Sequence, residues 1–356
     1  MLLMAAVLTP AALTREQGRR PVLLGRIAAA AAQRTPVGRS IATLVPSHGR
    51  LYVGYGDYTA DTGPITIVSI DLATDTIHDS GFSFASEAIF SYRQIGDELF
   101  APDIDPRRAS RGGYARGIAG PGSVAWTDEK VVPATHVFDV ASYDGRDLWL
   151  FGSLGSNAVA WRSTDDGRTW ISALTVPPRA AGNFARMYSG VSLAGKLHTQ
   201  VVDFPGGVRP TSLVYDGVGW SNGPRWFPPE VTIPDAFPWR PLAVGRQVMY
   251  LDQHTGATHR LVGLYRFDGV RAERAFGPPD AAGDPQFAVV DVTTSAGTAY
   301  LLNRRQEIWS STDLGRWRIR RTFNAPGGET PTAIAVVGED VYIGTNQSGI
   351  YKWSLR

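Results

Sequence analysis

The stretch Trp161-Arg-Ser-Thr-Asp-Asp-Gly-Arg-Thr-Trp170 decides the fold class. It links two strand-like runs through a tight polar turn. The Asp165 carboxylate can accept from amides of its own turn, and Gly167 can take a positive φ without a Cβ penalty. Ser163 opens the turn, Thr169 re-enters a strand, and Trp170 offers a large anchor between sheets. A looser copy, Trp309-Ser-Ser-Thr-Asp-Leu-Gly-Arg-Trp317, lacks the residue before its last tryptophan. Two such hairpins far apart in one chain point to a repeat.

Outward from these turns a module recurs: an apolar strand, a polar turn, then a second strand carrying Tyr, Phe or Trp. First strands start at Ile41, Ala88, Val137, Tyr188, Pro241, Val289 and Ala333, and second strands at Leu51, Glu98, Leu148, Lys196, Val248, Ala299 and Val341. Copies lie roughly 50 residues apart, a period that predicts an all-β propeller rather than a sandwich or a helical solenoid. Seven copies predict seven blades. The last has room for only three strands, and an unpaired edge is costly. Pro21–Ile27 is therefore expected to supply the fourth strand and close the ring. Residues 20–356 are read as the propeller. Residues 1–19 are read as an arm that docks on a partner chain through Leu2, Leu3, Val7 and Leu8.

Composition narrows the function classes. Net charge is +2, so nothing pulls the chain as a whole toward nucleic acid or membrane. Cysteine is absent, which excludes disulfides, thiolate nucleophiles and Cys-ligated zinc. No apolar run reaches the length of a membrane span. Lys130, Lys196 and Lys352 are the only lysines, so nearly all the basic charge is arginine.

In a propeller, the loop after each second strand and the connection between blades open on one rim. Candidate rim ligands there are Asp57, Asp61, Asp103, Asp105, Asp203, Asp252, His254, Asn303 and Arg304. The plainer reading is that Asp and Asn end strands and start turns. The stretch from Ala101 to Gly122 reads as one long loop without a strand pattern. It carries Arg107, Arg108, Arg111 and Arg116 and would suit an anionic partner or glycan. No cofactor is expected. Asp57 and Asp61 are the nearest thing to a Ca²⁺ pair, and His254 with His259 has no register to share a metal.

The 161–170 stretch resembles the Asp-box of sialidase-like propellers, in which the box is a structural corner away from the active site. Gly49-Arg-Leu-Tyr-Val-Gly-Tyr-Gly-Asp-Tyr-Thr-Ala-Asp-Thr-Gly-Pro64 resembles the first blade of tail-associated propellers of actinobacterial phages. The sialidase resemblance implies three substrate-binding arginines and an aspartic acid, for which Arg39, Arg186, Arg240 and Asp57 or Asp61 stand at matching places. The sequence departs from that pattern: Arg39 is followed by Ser-Ile, and no Glu precedes Arg186 at a suitable distance. The leading expectation is a non-enzymatic virion propeller on a phage tail, binding a host-surface glycan or protein and its neighbouring tail subunits. A sialidase-like glycoside hydrolase, a purely structural scaffold and an extracellular setting are the alternatives.

Overall fold

A computed structural model describes residues 20–105, 111–120, 123–205, 210–229, 231, 236–253, 263–276 and 288–355. Strands gather into seven four-stranded antiparallel sheets. These are blade 1 (43–84), blade 2 (93–133), blade 3 (136–176), blade 4 (184–222), blade 5 (237–276), blade 6 (289–322) and blade 7 (331–354) with Val22–Arg26. The repeat read from the sequence thus becomes a seven-bladed β-propeller. The proposed arm, residues 1–19, lies outside the described residues. Among the described residues no helix is long and apolar enough to cross a membrane.

Ring closure follows the strand arithmetic. Val22–Arg26 pairs antiparallel with Gly349–Ser354, placing Val22 opposite Lys352 and Arg26 opposite Gly349. The Arg26 guanidinium meets the buried Glu329 carboxylate and the Gln347 carbonyl. Beyond that strand, the Ile27 amide donates to Ser348 O at 2.9 Å and the Ile41 amide to Thr345 O at 3.0 Å, stitching blade 7 to blade 1.

Blades pack through large apolar faces. Between blades 3 and 4, Trp149, Phe151, Met187, Leu197 and Val201 are buried together. Each such side chain contributes about 1.5–3 kcal/mol by leaving water. Contact is close enough that a Cβ on Gly190 would sit 2.0 Å from the Phe151 ring, so only glycine fits there.

One expectation is corrected. Part of the supposed Ala101–Gly122 loop is a strand, Arg111–Gly120, paired with Glu98–Pro102 on one side and Ser123–Pro133 on the other. Its glycines and alanines hid the alternation that marks a strand. They serve packing instead: a Cβ on Gly113 would lie 1.6 Å from the Glu129 carbonyl oxygen. A smaller shift concerns blade 2. Its inner strand is Arg93–Ile95, and Ala88, expected to start it, makes only an isolated bridge to Gly56.

Candidate functional site

Strand order alone separates the two ends of the ring. Antiparallel strands alternate in direction, so loops after second strands share one end with the blade connections. Turns between third and outer strands lie at the other end.

The hairpin at 163–170 is at that second end. Ser163 Oγ donates to Asp165 Oδ1 at 2.8 Å and accepts from the Gly167 amide at 2.9 Å. Asp165 also accepts from the Thr169 amide at 2.9 Å and the Thr169 hydroxyl at 2.6 Å. These bonds, those from Thr169 foremost, pull the Asp165 carboxyl down to about 2. Trp170 packs on Tyr114 of the preceding blade. The second copy repeats the logic: Asp313 accepts from the Gly315 and Arg316 amides, and Trp317 Nε1 donates to Ala275 O of blade 5 at 2.7 Å. Both turns hold one blade against the last.

Most of the predicted rim acids are occupied by the fold. Asp57 accepts from the Thr35 hydroxyl at 2.8 Å with one oxygen, and from the Thr59 amide and hydroxyl with the other. Asp103 is fully buried, pairs with Lys130, and passes its carbonyl to the Val137 amide of blade 3. Asp203 is buried, 3.7 Å from Arg179 Nε. Asp252 accepts from the Gly263 amide at 2.6 Å, and Asn303 brackets Glu307 with two bonds. Asp61 is exposed, and Arg304 is exposed with its amide on Ala288 O. Among the described residues no group of three or more His, Asp or Glu is placed to hold a metal ion. Arg107, Arg108 and His254 lie outside the described residues. Of the other loop arginines, Arg111 donates to the Lys130 and Val131 carbonyls, and Arg116 bridges Glu98 and Asp166.

Two arginine–aspartate clasps join neighbouring blades on the inner strands, and one of them also reaches across the ring. Arg93 of blade 2 grips Asp139 of blade 3 through two bonds of 2.7 and 2.8 Å, and its other nitrogen reaches Pro241 O of blade 5 at 2.9 Å. Asp139 also accepts from the Gly190 amide of blade 4. Three blades on, Arg240 pairs with the buried Asp291, which accepts from the Ile334 amide of blade 7. A cavity of about 210 Å³ lies beside these clasps, walled by Leu44, Phe90, Arg93, Arg240 and Leu242 among others.

Aromatic rings on and beside the inner strands of neighbouring blades pack into one cluster. Phe138 meets Tyr188 at 4.5 Å between centroids, and Tyr188 stacks on Phe237 at 3.8 Å. Trp239, Phe90 and Tyr58 continue the series. On this floor sits a polar cluster. Arg186, half-buried on the inner strand of blade 4, lies over the Phe184 and Phe138 rings at 4.7 and 5.7 Å. Its guanidinium is 3.1 Å from His136 Nε2, while His136 Nδ1 is 3.0 Å from Ile104 O and 3.7 Å from Asp105. No ion pair joins Arg186 to a carboxylate among the described residues.

The electrostatics follow from that geometry. Burial, then the adjacent Arg186 charge, pushes His136 down to about 4, so its imidazole is neutral at pH 7. Burial pushes Asp105 up to about 6, helped by Glu87 and Asp61 and opposed by Arg186. Burial also raises Tyr58. Glu87 is buried and accepts from the Gly63 amide at 2.6 Å. The cluster can therefore offer one cation without an ion-paired carboxylate among the described residues, one neutral imidazole, a carboxyl poised near neutrality and an aromatic floor.

Of the predicted residues the structure gathers Asp57, Asp61, Asp105 and Arg186 near this mouth. It leaves Arg39 exposed on a separate turn and commits Arg240 to Asp291. Sequence reading missed His136, Phe138, Tyr188, Phe237 and Trp239. A signal existed: His136-x-Phe138, Arg186-x-Tyr188 and Phe237-x-Trp239 stand at the start of three successive inner strands, where alternation puts both members on one face.

No family model and no curated protein matches the chain. Solved structures do resemble it. The β-propeller domain of the Trilobed protease from Pyrococcus furiosus aligns at 11% identity and TM-score 0.52, over 89% of this chain and 96% of that one. Virginiamycin B lyase from Staphylococcus aureus aligns at 12% identity and TM-score 0.57, over 91% and 97%. A xyloglucanase from Xanthomonas campestris aligns at 16% identity and TM-score 0.61, over 95% of this chain and 54% of that one. At such identities the likeness is one of fold: the chain is built as a seven-bladed β-propeller, as its own strand pairing shows.

Proposed function

We propose that the chain is a non-enzymatic binding propeller whose channel mouth, over blades 1 to 4, holds an acidic glycan of a host surface. One observation carries this reading: Arg186 keeps a half-buried guanidinium without a carboxylate partner among the described residues, on two phenyl rings beside a neutral imidazole. Desolvation strengthens a charge-assisted bond to an incoming carboxylate. The aromatic floor suits the apolar face of a sugar ring. The setting on a phage tail, among other virion proteins, rests on the resemblance of Gly49–Pro64.

Hydrolysis needs two carboxyl groups flanking the scissile bond. Asp57 and Glu87 are tied to amides or hydroxyls of the fold, which favours binding over turnover. A specific observation keeps glycoside hydrolysis as the second reading: Asp105 is lifted to about 6 and feels Asp61. A glycan array with wild-type protein and Arg186→Ala tests the first reading. Acidic glycans retained by wild type and lost by the variant support it, and equal retention defeats it. Release of reducing sugar from an array hit, abolished by Asp105→Asn, would replace it with the second.

A further inference from the structure

We infer that a cleft on blade 6, at the end of the ring opposite the mouth, is a second binding site, for a glycan carrying sulfate or phosphate groups. The cleft encloses about 450 Å³ and is lined by Arg316, Arg318 and Arg320 with a hydroxyl-rich wall that includes Tyr300, Ser310 and Thr312. Its placement follows from the register. Tyr300 faces Ser310, and Ser310 faces Arg318, so one row crosses three strands on one face. Arg316 leaves the preceding turn. Arg320 falls where the register shifts between Ile308 and Trp309.

Three guanidinium groups share this cleft, all exposed, and among the described residues none is ion-paired. Asp313, the acid in the lining, is engaged with the Gly315 and Arg316 amides and the Ser311 hydroxyl. Edge protection is the competing explanation, since charge on an outer strand blocks pairing with other chains. It does not demand arginine here: the outer strand of blade 3, Ile171–Val176, carries no charge at all. Like charges held together repel, and a ligand anion relieves that. Arginine forks match sulfate and phosphate oxygens two at a time. The volume falls in the range of small-molecule clefts, roughly 300–1,000 Å³, and is too large for one oxyanion. Hydroxyls between the forks match sugar hydroxyls. Single-stranded nucleic acid would call for a run of stacking aromatics, and Tyr300 is the sole aromatic residue lining the cleft.

The test uses the full chain carrying Arg186→Ala, so that the mouth reading is not measured at the same time. Isothermal titration at low salt would compare a dextran sulfate oligosaccharide, single-stranded DNA of equal charge and phosphatidylglycerol vesicles. The sulfated oligosaccharide should bind tightest. Arg318→Ala with Arg320→Ala should weaken it at least tenfold with an unchanged thermal midpoint. Arg318→Lys with Arg320→Lys, which keeps the charge and loses the fork, should weaken it several-fold. Arg146→Ala with Arg168→Ala removes the same charge elsewhere and should leave the affinity within twofold. Undiminished binding by the double alanine variant, an equal loss in the control pair, or tighter binding of DNA or vesicles through these arginines would overturn the proposal.

Discussion

The clasps inside the channel and the arginine at its mouth belong to one ring and follow opposite arrangements. Arg93 and Arg240 each meet an aspartate that is almost wholly buried, and each aspartate ties on to an amide of the next blade. Arg186 meets phenyl rings and a neutral imidazole instead. Removing an arginine from water is expensive, and a folded chain offsets that with a carboxylate where the charge serves the fold. Among the described residues Arg186 has no such carboxylate, which is what the proposed recognition of an acidic ligand calls for. On the proposed reading, the difference separates residues that hold blades together from one that recognises a ligand.

That contrast can be broken by substitution. The largest effect is expected inside the channel. Asp139→Ala leaves the largely buried Arg93 without its carboxylate partner and strips the Gly190 amide of an acceptor, so urea unfolding should show a loss of about 3–5 kcal/mol. Asp291→Ala should behave alike through Arg240 and the Ile334 amide. A loss below about 1 kcal/mol for both would mean that the clasps are ornaments of the channel and that pairing does not distinguish the three arginines.

Arg186→Ala sharpens the comparison from the other side. The two ring contacts, worth about 0.5–1 kcal/mol each, go together with the polar contacts to His136 Nε2 and the Tyr188 hydroxyl, while acidic-glycan affinity should fall tenfold or more. The same change should move two titrations in one direction. His136, held down at about 4 partly by Arg186, should rise toward the usual imidazole value, and Asp105, which Arg186 restrains at about 6, should rise further. Their signs in stability differ. His136 titrates lower folded than unfolded, so its contribution is present above about pH 6.5 and fades as pH falls toward 4. Asp105 titrates higher folded than unfolded, so its contribution is present below about pH 4 and is lost as pH rises through 6. NMR titration of the imidazole and carboxyl signals checks both. Unmoved titrations would show that Arg186 does not govern the mouth.

The smallest effects belong to the far end of the ring. Asp165→Ala and Asp313→Ala should each lower the thermal midpoint slightly and leave glycan affinity unchanged. For Asp165 the deficit should shrink on acidification. The wild-type carboxylate, held at about 2, gives up its advantage as pH falls from about 4 to 2. A binding defect with an unchanged midpoint would move the recognition site to the turns.

Fold and site were legible to different degrees for a physical reason. Strand alternation and turn chemistry are local, so Asp165, Gly167 and the missing fourth strand of blade 7 could be read along the chain. The Arg111–Gly120 strand escaped because its glycines answer to a neighbouring backbone rather than to a pattern. Arg186 and Arg240 looked alike because each stands near the start of an inner strand. What separates them is Asp291 beside one and Phe138 with Phe184 around the other, partners up to 51 residues apart in the chain. The acids and amides at the ends of second strands looked like a rim, and several of them latch turns instead, as with Asp252 and Asn303.

The closing strand has a mechanical consequence. Val22 lies opposite Lys352, so the chain enters the closing pair at the same end at which Gly349–Ser354 leaves it. Tension between the segment before Val22 and the segment after Ser354 would therefore peel the pair open one bond at a time. Tension applied between Arg26 and Ser354 would instead shear all of its bonds at once. The seam that completes the ring is therefore the place where a pull on the segments flanking Val22 and Ser354 would begin to undo the molecule.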